Sequence, residues 1–317
     1  MPLDPILVPI LEAINSAVPQ QQEGLTVAEM RAQNHEMMDA SFVALGDDAP
    51  PIANAEDISI PVADGEITVR VYTPIGTGPF PAHLWIHGGG FWLGTIDQFD
   101  SACRAIANKA ECVVASVDYR LAPEYKFPIP AEDCYAALEW LALEATQLNI
   151  DPTRISVGGA SAGGNLSAVV ALMARDRGGP QLVLQVLDIP VTDLTMSQPS
   201  ITENGEGYLL TKEGCAQYVG YYLDDPTDAT HPYASPFFAD DLTNLPPALI
   251  TTAEFDPLRD EGEAYAERLR AAGVPVELHR MDGHIHGSMA FTKLMPSAVE
   301  HHRRTIAALR AANGMDQ

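Results

Sequence analysis

The stretch Arg154–Ala174, RISVGGASAGGNLSAVVALMA, leaves this chain few ways to fold. Ile155–Val157 is an apolar run of strand length. Glycines then crowd around one serine, and Asn165–Ala174 continues in Leu, Ala, Val and Met, a helix-forming composition. The order is strand, tight turn, helix. At its centre lies Gly159-Ala160-Ser161-Ala162-Gly163, a G-x-S-x-G pattern in the setting that gives the pattern meaning. Strand and helix pass so close at such a turn that side chains flanking the serine would clash, hence the glycines. The hydroxyl ends up beside a helix N-terminus, whose unpaired N–H groups favour developing negative charge. This is the setting of a nucleophile.

The same residues also read as Gly158-x-Ala160-x-x-Gly163, close to a dinucleotide fingerprint. That fingerprint needs an acidic residue at the end of the following strand, about twenty residues on. Asp176 has the spacing but falls in the helix end, so the nucleophile reading stands, provided the rest of the chain supplies its partners.

The chain has 317 residues, enough for one large α/β domain with an insertion or for two small domains. Residues 1–50 read as helical, with Ile6, Leu7, Ile10, Leu11 and Ile14 at helical spacing and a second segment over Val27–Val43. Within it, His35-Glu36-Met37-Met38-Asp39 imitates the zinc-protease H-E-x-x-H but lacks the second histidine. Ile58–Val62 and Ile67–Val71 alternate around Asp64-Gly65, a hairpin signal. Ala82–Ile86 is a strand that runs into His87-Gly88-Gly89-Gly90-Phe91-Trp92. A glycine triplet there bares backbone N–H groups. It has the form of an HGGG-type oxyanion loop and not of a phosphate loop.

Strands and helices then alternate: a helix over 98–109, strand Val113–Val117, a helix over 130–145, the Ser161 unit and strand Leu182–Leu187. Near-continuous apolar strands separated by helices mean a mostly parallel sheet covered on both faces. The alternation breaks at Pro190. Residues 191–232, with a helical stretch over Thr211–Tyr222, read as an excursion that joins the N-terminal helices in a cap. It resumes with strand Ala248–Ala253, helix Arg259–Ala272, strand Val276–Arg280 and a helix from Ser297 to Ala312. The expected division is therefore residues 1–50 as N-terminal cap helices, 51–190 as the first part of the core, 191–232 as the cap insertion and 233–317 as the second part of the core. Pro275 suits an edge position for the last strand.

Two loops follow the late strands: Glu254–Asp260, which carries Asp256, and Asp282–Gly287, which carries His284 and His286. With Ser161 they give Ser, then Asp, then His, each just past a strand, in the chain order that α/β-hydrolases use. A net charge of −25 argues against nucleic-acid or anionic-membrane partners. No uncharged apolar run approaches a membrane span, and the first residues lack the basic and apolar regions of a signal peptide. The four cysteines, Cys103, Cys112, Cys134 and Cys215, have no C-x-x-C spacing; they read as small buried hydrophobes in a reducing, cytoplasmic setting.

The motifs together resemble the hormone-sensitive-lipase-like family of bacterial carboxylesterases. The matching stretches are HGGGFWLG (His87–Gly94), DYRLAPE (Asp118–Glu124), GGASAGGN (Gly158–Asn165), FDPLRDEG (Phe255–Gly262) and HIHGS (His284–Ser288). The resemblance implies an eight-stranded α/β-hydrolase core, a helical cap, no metal and no cofactor. It places the nucleophile on Ser161, the acid on Asp256 and the base on His286, since the family's histidine immediately precedes a glycine. The oxyanion donors fall on Gly88, Gly89 and the amide of Ala162. Two departures, Ala160 where many relatives have Asp and Ser288 where many have an aromatic residue, bear on substrate preference and not on the reaction.

The expected partner is a small-molecule ester, with no nucleic acid and no membrane; a homodimer stays open. Phe91 and Trp92 adjoin the oxyanion loop, and Met37, Met38, Tyr208, Leu209 and Leu210 of the cap are candidate substrate walls. Such a pocket suits short acyl chains, with efficiency rising to about C4–C6 and falling beyond. The same machinery would also serve a lactone or an amide, and a non-catalytic binder is the alternative of another class. Asp188, at the end of the Leu182–Leu187 strand, reads as a buried structural partner ahead of a substrate contact.

Overall fold

The strands that read as unbroken apolar runs are the ones covered on both faces. In β3 (Phe80–Ile86) every residue is buried. Its neighbours are β4 (Val113–Asp118) on one side and β5 (Ile150–Ala160) on the other. A computed structural model describes residues 2–16 and 24–315; the part of the expected N-terminal helical region that covers 17–23 lies outside the described residues. Among the described residues one sheet forms, in the order β1-β2-β4-β3-β5-β6-β7-β8, with β1 (Asn54–Val62), β2 (Gly65–Thr73), β6 (Leu182–Asp188), β7 (Ala248–Phe255) and β8 (Val276–Ile285). The β1–β2 hairpin and its pairing with β4 are antiparallel, and every other pairing is parallel. The chain is thus an α/β-hydrolase fold. β8 is one of the two edge strands, as Pro275 leads one to expect, and it runs on to Ile285, five residues past the sequence expectation.

Helices α3 (Asp100–Ala110) and α9 (Pro296–Ala312) cover one face, where Ile106 and Leu309 meet Trp85, Val114 and Leu249. Helices α4 (Ile129–Leu143), α5 (Ala162–Asp176) and α8 (Arg259–Ala271) cover the other with Leu138, Leu166, Val169 and Leu269. Between β6 and β7 the chain leaves the sheet, forming the short α6 (Ser200–Glu203) and then α7 (Lys212–Tyr222). Ahead of the sheet lie α1 (Leu7–Ser16) and α2 (Val27–Leu45). Met30 and Met38 of α2 and Tyr218 and Tyr221 of α7 pack on Trp92 and Leu93, so the two off-sheet segments meet over the loop that follows β3. Among the described residues no helix is long and apolar enough to cross a membrane.

The four cysteines are free and buried. Burial pushes the Cys103, Cys112 and Cys215 thiols up to about 12, so they pack as neutral groups.

Two histidines are fully enclosed as well. His83 and His87 are both 0% exposed, and burial pushes each imidazole from 6.5 down to about 4. A folded pKa below the unfolded one stabilises the fold above the unfolded pKa, and that contribution is lost as pH falls towards the folded pKa. His301, facing Asp188, has its pKa raised by that carboxylate despite burial, so its own change is complete above 6.5. Stability should therefore fall between pH 6.5 and about 4 by roughly 1 kcal/mol per pH unit for each of the His83 and His87 imidazoles and for His302, which burial also lowers to about 4, offset in part by the buried Glu261 carboxyl, whose raised pKa works the other way. Urea midpoints at pH 7, 6 and 5 measure it; a midpoint that stays level down to pH 5 would contradict it.

Candidate active site

Ser161 joins β5 to α5 with φ 57° and ψ −119°, a conformation that a non-glycine residue adopts only when its surroundings enforce it. Three backbone hydrogen bonds enforce it here. The Ser161 amide donates to the Asp188 carbonyl at 2.8 Å, and the Ser161 carbonyl accepts from Asn165 at 3.0 Å and Val191 at 3.2 Å. The glycines are required by space: a Cβ on Gly159 would run into the Ile86 carbonyl oxygen, and one on Gly88 would stand 2.7 Å from the Ala160 carbonyl oxygen. Strand β3, the elbow and the loop after β3 are therefore in backbone contact.

Asp256 follows β7 and is 0% exposed. Its Oδ1 accepts the Leu258 amide at 2.9 Å, which leaves Oδ2 to face His286 Nδ1 at 2.8 Å. His286 Nε2 in turn lies 3.1 Å from Ser161 Oγ. Asn204 Nδ2, from the end of α6, donates to the Asp256 carbonyl at 3.1 Å and steadies that loop from above. Three side chains from the ends of β5, β7 and β8 thus form one hydrogen-bonded line.

The extra length of β8 explains why two histidines so close in sequence differ. His284 lies within the strand and is buried, with Nδ1 2.8 Å from Ser288 Oγ and Nε2 2.8 Å from Ser297 Oγ. Both of its nitrogens are occupied by hydroxyls, and burial lowers its pKa. His286 stands beyond the strand, where Gly287 at φ 79° turns the chain and frees the ring to reach Ser161. A further Ser–His pair, Ser156 with His83 at 2.8 Å, sits inside the sheet with both residues 0% exposed. No substrate could reach it, so it is a packing contact.

The loop after β3 is fixed from several sides. The His87 ring stacks on Tyr119 at 4.4 Å, and the Tyr119 hydroxyl donates to the His87 carbonyl at 3.1 Å. Gly89 and Gly90 have φ of 119° and 59°. The Gly89 carbonyl accepts both the Trp92 and Leu93 amides, at 3.2 and 2.8 Å, which closes a turn. The Gly88 and Gly89 amides take no backbone carbonyl among the described residues. The Ala162 amide opens α5 and has no intrahelical acceptor. These are the residues that the resemblance assigns to an oxyanion site.

The expected substrate walls are placed unevenly. Phe91 is 2% exposed and stacks flat on Tyr222 at 3.8 Å, so it holds the loop from beneath. Trp92 is 3% exposed and is enclosed by Met30, Met38 and the rings of Tyr218 and Tyr221. Tyr208 packs on Phe255 at 5.1 Å, next to the loop of Asp256. Leu210 packs with Ile201, Cys215 and Leu258. Met37 is 63% exposed and points away from that packing, while Leu209 is 44% exposed. Sequence reading missed Tyr218: its ring lies against Gly90, where an added Cβ would stand 2.7 Å from Cδ2. A tyrosine on an excursion helix carries no sequence mark of a contact with a loop well over a hundred residues earlier. Asp188 points its Oδ2 at His301 Nε2, 3.3 Å away under α9, in keeping with a structural role. No group of three or more His, Cys, Asp and Glu side chains fit to hold a metal ion occurs among the described residues.

Residues 83–290 match the protein family described as alpha/beta hydrolase fold. The carboxylesterase NlhH of Mycobacterium tuberculosis is 45% identical over 251 residues, which are 78% of this chain and 79% of that protein. An arylesterase of Saccharolobus solfataricus is 42% identical over 237 residues, 74% of this chain and 77% of that one. Among solved structures, a hyperthermophilic esterase from the archaeon Pyrobaculum calidifontis superposes with a TM-score of 0.91 at 42% identity, covering 98% of this chain and 99% of that one.

Proposed function

The chain belongs to the hormone-sensitive-lipase-like carboxylesterases of the α/β-hydrolase fold, and on that premise we propose how its residues divide the work of ester hydrolysis. The observation that carries the assignment is the line from Asp256 Oδ2 through the His286 ring to Ser161 Oγ, with steps of 2.8 and 3.1 Å. A serine hydroxyl is a weak nucleophile until a base takes its proton. His286 Nε2 takes it as Oγ attacks the ester carbonyl, and Asp256, tied down by the Leu258 amide, holds the ring tautomer and stabilises the imidazolium. The oxyanion forms against the amides of Gly88, Gly89 and Ala162, each worth about 3 kcal/mol to the transition state. His286 then passes the proton to the departing alcohol. Water, activated by the same imidazole, attacks the acyl-enzyme and releases the acid. A fluorophosphonate should label Ser161 and no other serine, Ser156 included; peptide mapping reads the site.

The substrate class we propose is short, soluble acyl esters. Tyr218 on Gly90 and the aromatic cluster around Trp92 support it, because large side chains close in on the loop that faces the acyl carbonyl. Each methylene buried adds about 0.8 kcal/mol until such a wall is met, after which further ones clash or stay in water. On p-nitrophenyl esters from acetate to palmitate, kcat/KM should rise to about C4–C6 and then fall. A maximum at C12 or beyond, or activation at an oil–water interface, would overturn it. The free, buried thiols support a reducing, cytoplasmic location.

A further inference from the structure

Arg31 belongs to α2 and lies far in sequence from the site, yet its side chain grips the oxyanion loop twice over. Nε donates to the Trp92 carbonyl at 2.8 Å. Nη2 donates to the Ala122 carbonyl at 2.8 Å and to Glu124 Oε2 at 2.6 Å, and Nη1 donates to Glu124 Oε1 at 3.1 Å. The Ala122 amide itself donates to the Phe91 carbonyl at 2.9 Å. One guanidinium therefore holds the turn of residues 89–93 directly, through Trp92, and indirectly, through the strap that holds Phe91. Glu124 orients the fork in two-point contact and balances its charge.

We propose that Arg31 is a positioning residue for the oxyanion hole: the docking of α2, transmitted through its guanidinium, sets where the Gly88 and Gly89 amides point. The glycines make this necessary. Gly89 and Gly90 have positive φ and no side chains to lock them, so the bonds to the turn's carbonyls help to aim it, alongside the packing of Phe91 and Trp92. The Gly89 carbonyl is taken inside the turn, the Phe91 carbonyl by Ala122 and the Trp92 carbonyl by Arg31. Removing Arg31 removes the last and loosens the second. Oxyanion stabilisation depends on donors already aimed at the charge, so a small drift of these amides weakens the transition state and leaves substrate binding largely alone.

The proposal rests on the amides of Gly88 and Gly89 being the oxyanion donors, and its test is separable from that reading. In Arg31→Ala, kcat on p-nitrophenyl butyrate should fall about tenfold to a hundredfold, less than the ~10²–10³ typical of losing a whole donor, with KM within about twofold. Affinity for a short alkyl trifluoromethyl ketone should weaken in parallel with kcat. In that adduct Ser161 Oγ bonds to the carbonyl carbon, its proton passes to His286, and the former carbonyl oxygen becomes an anion in the hole. Millimolar guanidinium ion should restore part of kcat. Arg31→Lys, which keeps the charge but cannot reach both carbonyls, should show the same pattern at smaller amplitude, and it carries the comparison if the alanine variant unfolds at the assay temperature. Unchanged kcat, or a rise in KM with ketone affinity intact, would overturn the role of Arg31. Inactivity of the unaltered enzyme on every ester would instead remove the functional reading beneath it.

Discussion

Replacing Ser161 with alanine is expected to lower kcat on p-nitrophenyl butyrate by about 10⁶-fold and to leave the protein folded, since the nucleophile and its base act as one unit. The oxygen that is lost is the one 3.1 Å from His286 Nε2. The turn that presents it is held by the Ser161 amide and carbonyl, which the substitution keeps. Alanine also tolerates the Ser161 backbone, at φ 57°, no worse than serine does. Circular dichroism and the urea midpoint should therefore match those of the unaltered chain. Activity within tenfold of the original would sink the assignment of Ser161, and it would send attention to hydroxyls that the fold now places in the core.

The second large effect separates two neighbours. His286→Ala should lose nearly as much activity as Ser161→Ala, about 10⁶-fold, and Asp256→Asn about 10⁴-fold, because the amide would favour the wrong ring tautomer. His284→Ala should instead lower stability first, by removing the imidazole that lies 2.8 Å from the hydroxyls of Ser288 and Ser297. Ser297 is exposed and the Ser288 hydroxyl keeps its bonds to Ile285, so the cost comes from the emptied site of a buried ring, about 1–3 kcal/mol. The measurement is kcat alongside the urea midpoint for both variants. A larger loss of kcat in His284→Ala than in His286→Ala would reverse the roles.

Much of this site was legible in the sequence because its chemistry is tied to backbone geometry. An elbow that must bring Gly159 against Ile86 permits no side chain, and glycine writes that requirement into the chain. The same holds for the triplet after β3. The proposed acid and base stood out as residues just past apolar strands, and the fold brings them within hydrogen-bond reach of each other. The limit came where packing decides. Nothing in VELHRMDGHI says that the strand continues through His284; pairing with β7 to Ile285 does that. Phe91 and Trp92 were placed by proximity in sequence to the loop, but stacking on Tyr222 and enclosure by α2 and α7 determine which way they face. Tyr218 and Arg31 were missed for the same reason. Each acts on the loop from a segment whose position only the tertiary structure fixes.

The segments that crowd Trp92, α2 and α7, contribute no strand to the sheet, whereas Ser161, Asp256 and His286 all stand at strand ends. On the proposed roles, the bond-breaking side chains and most of the candidate substrate walls therefore come from different stretches of chain, with Arg31 of α2 linking the two. The strand-end positions are fixed by backbone contacts that tolerate almost no substitution, while the off-sheet helices need only keep an apolar face and their few polar tethers. A lineage can exchange Met38 or Tyr218 and alter which esters fit without rebuilding the elbow. Exchanges on those helices that spare tethers such as Arg31 would change which esters fit and leave the strand ends where they are.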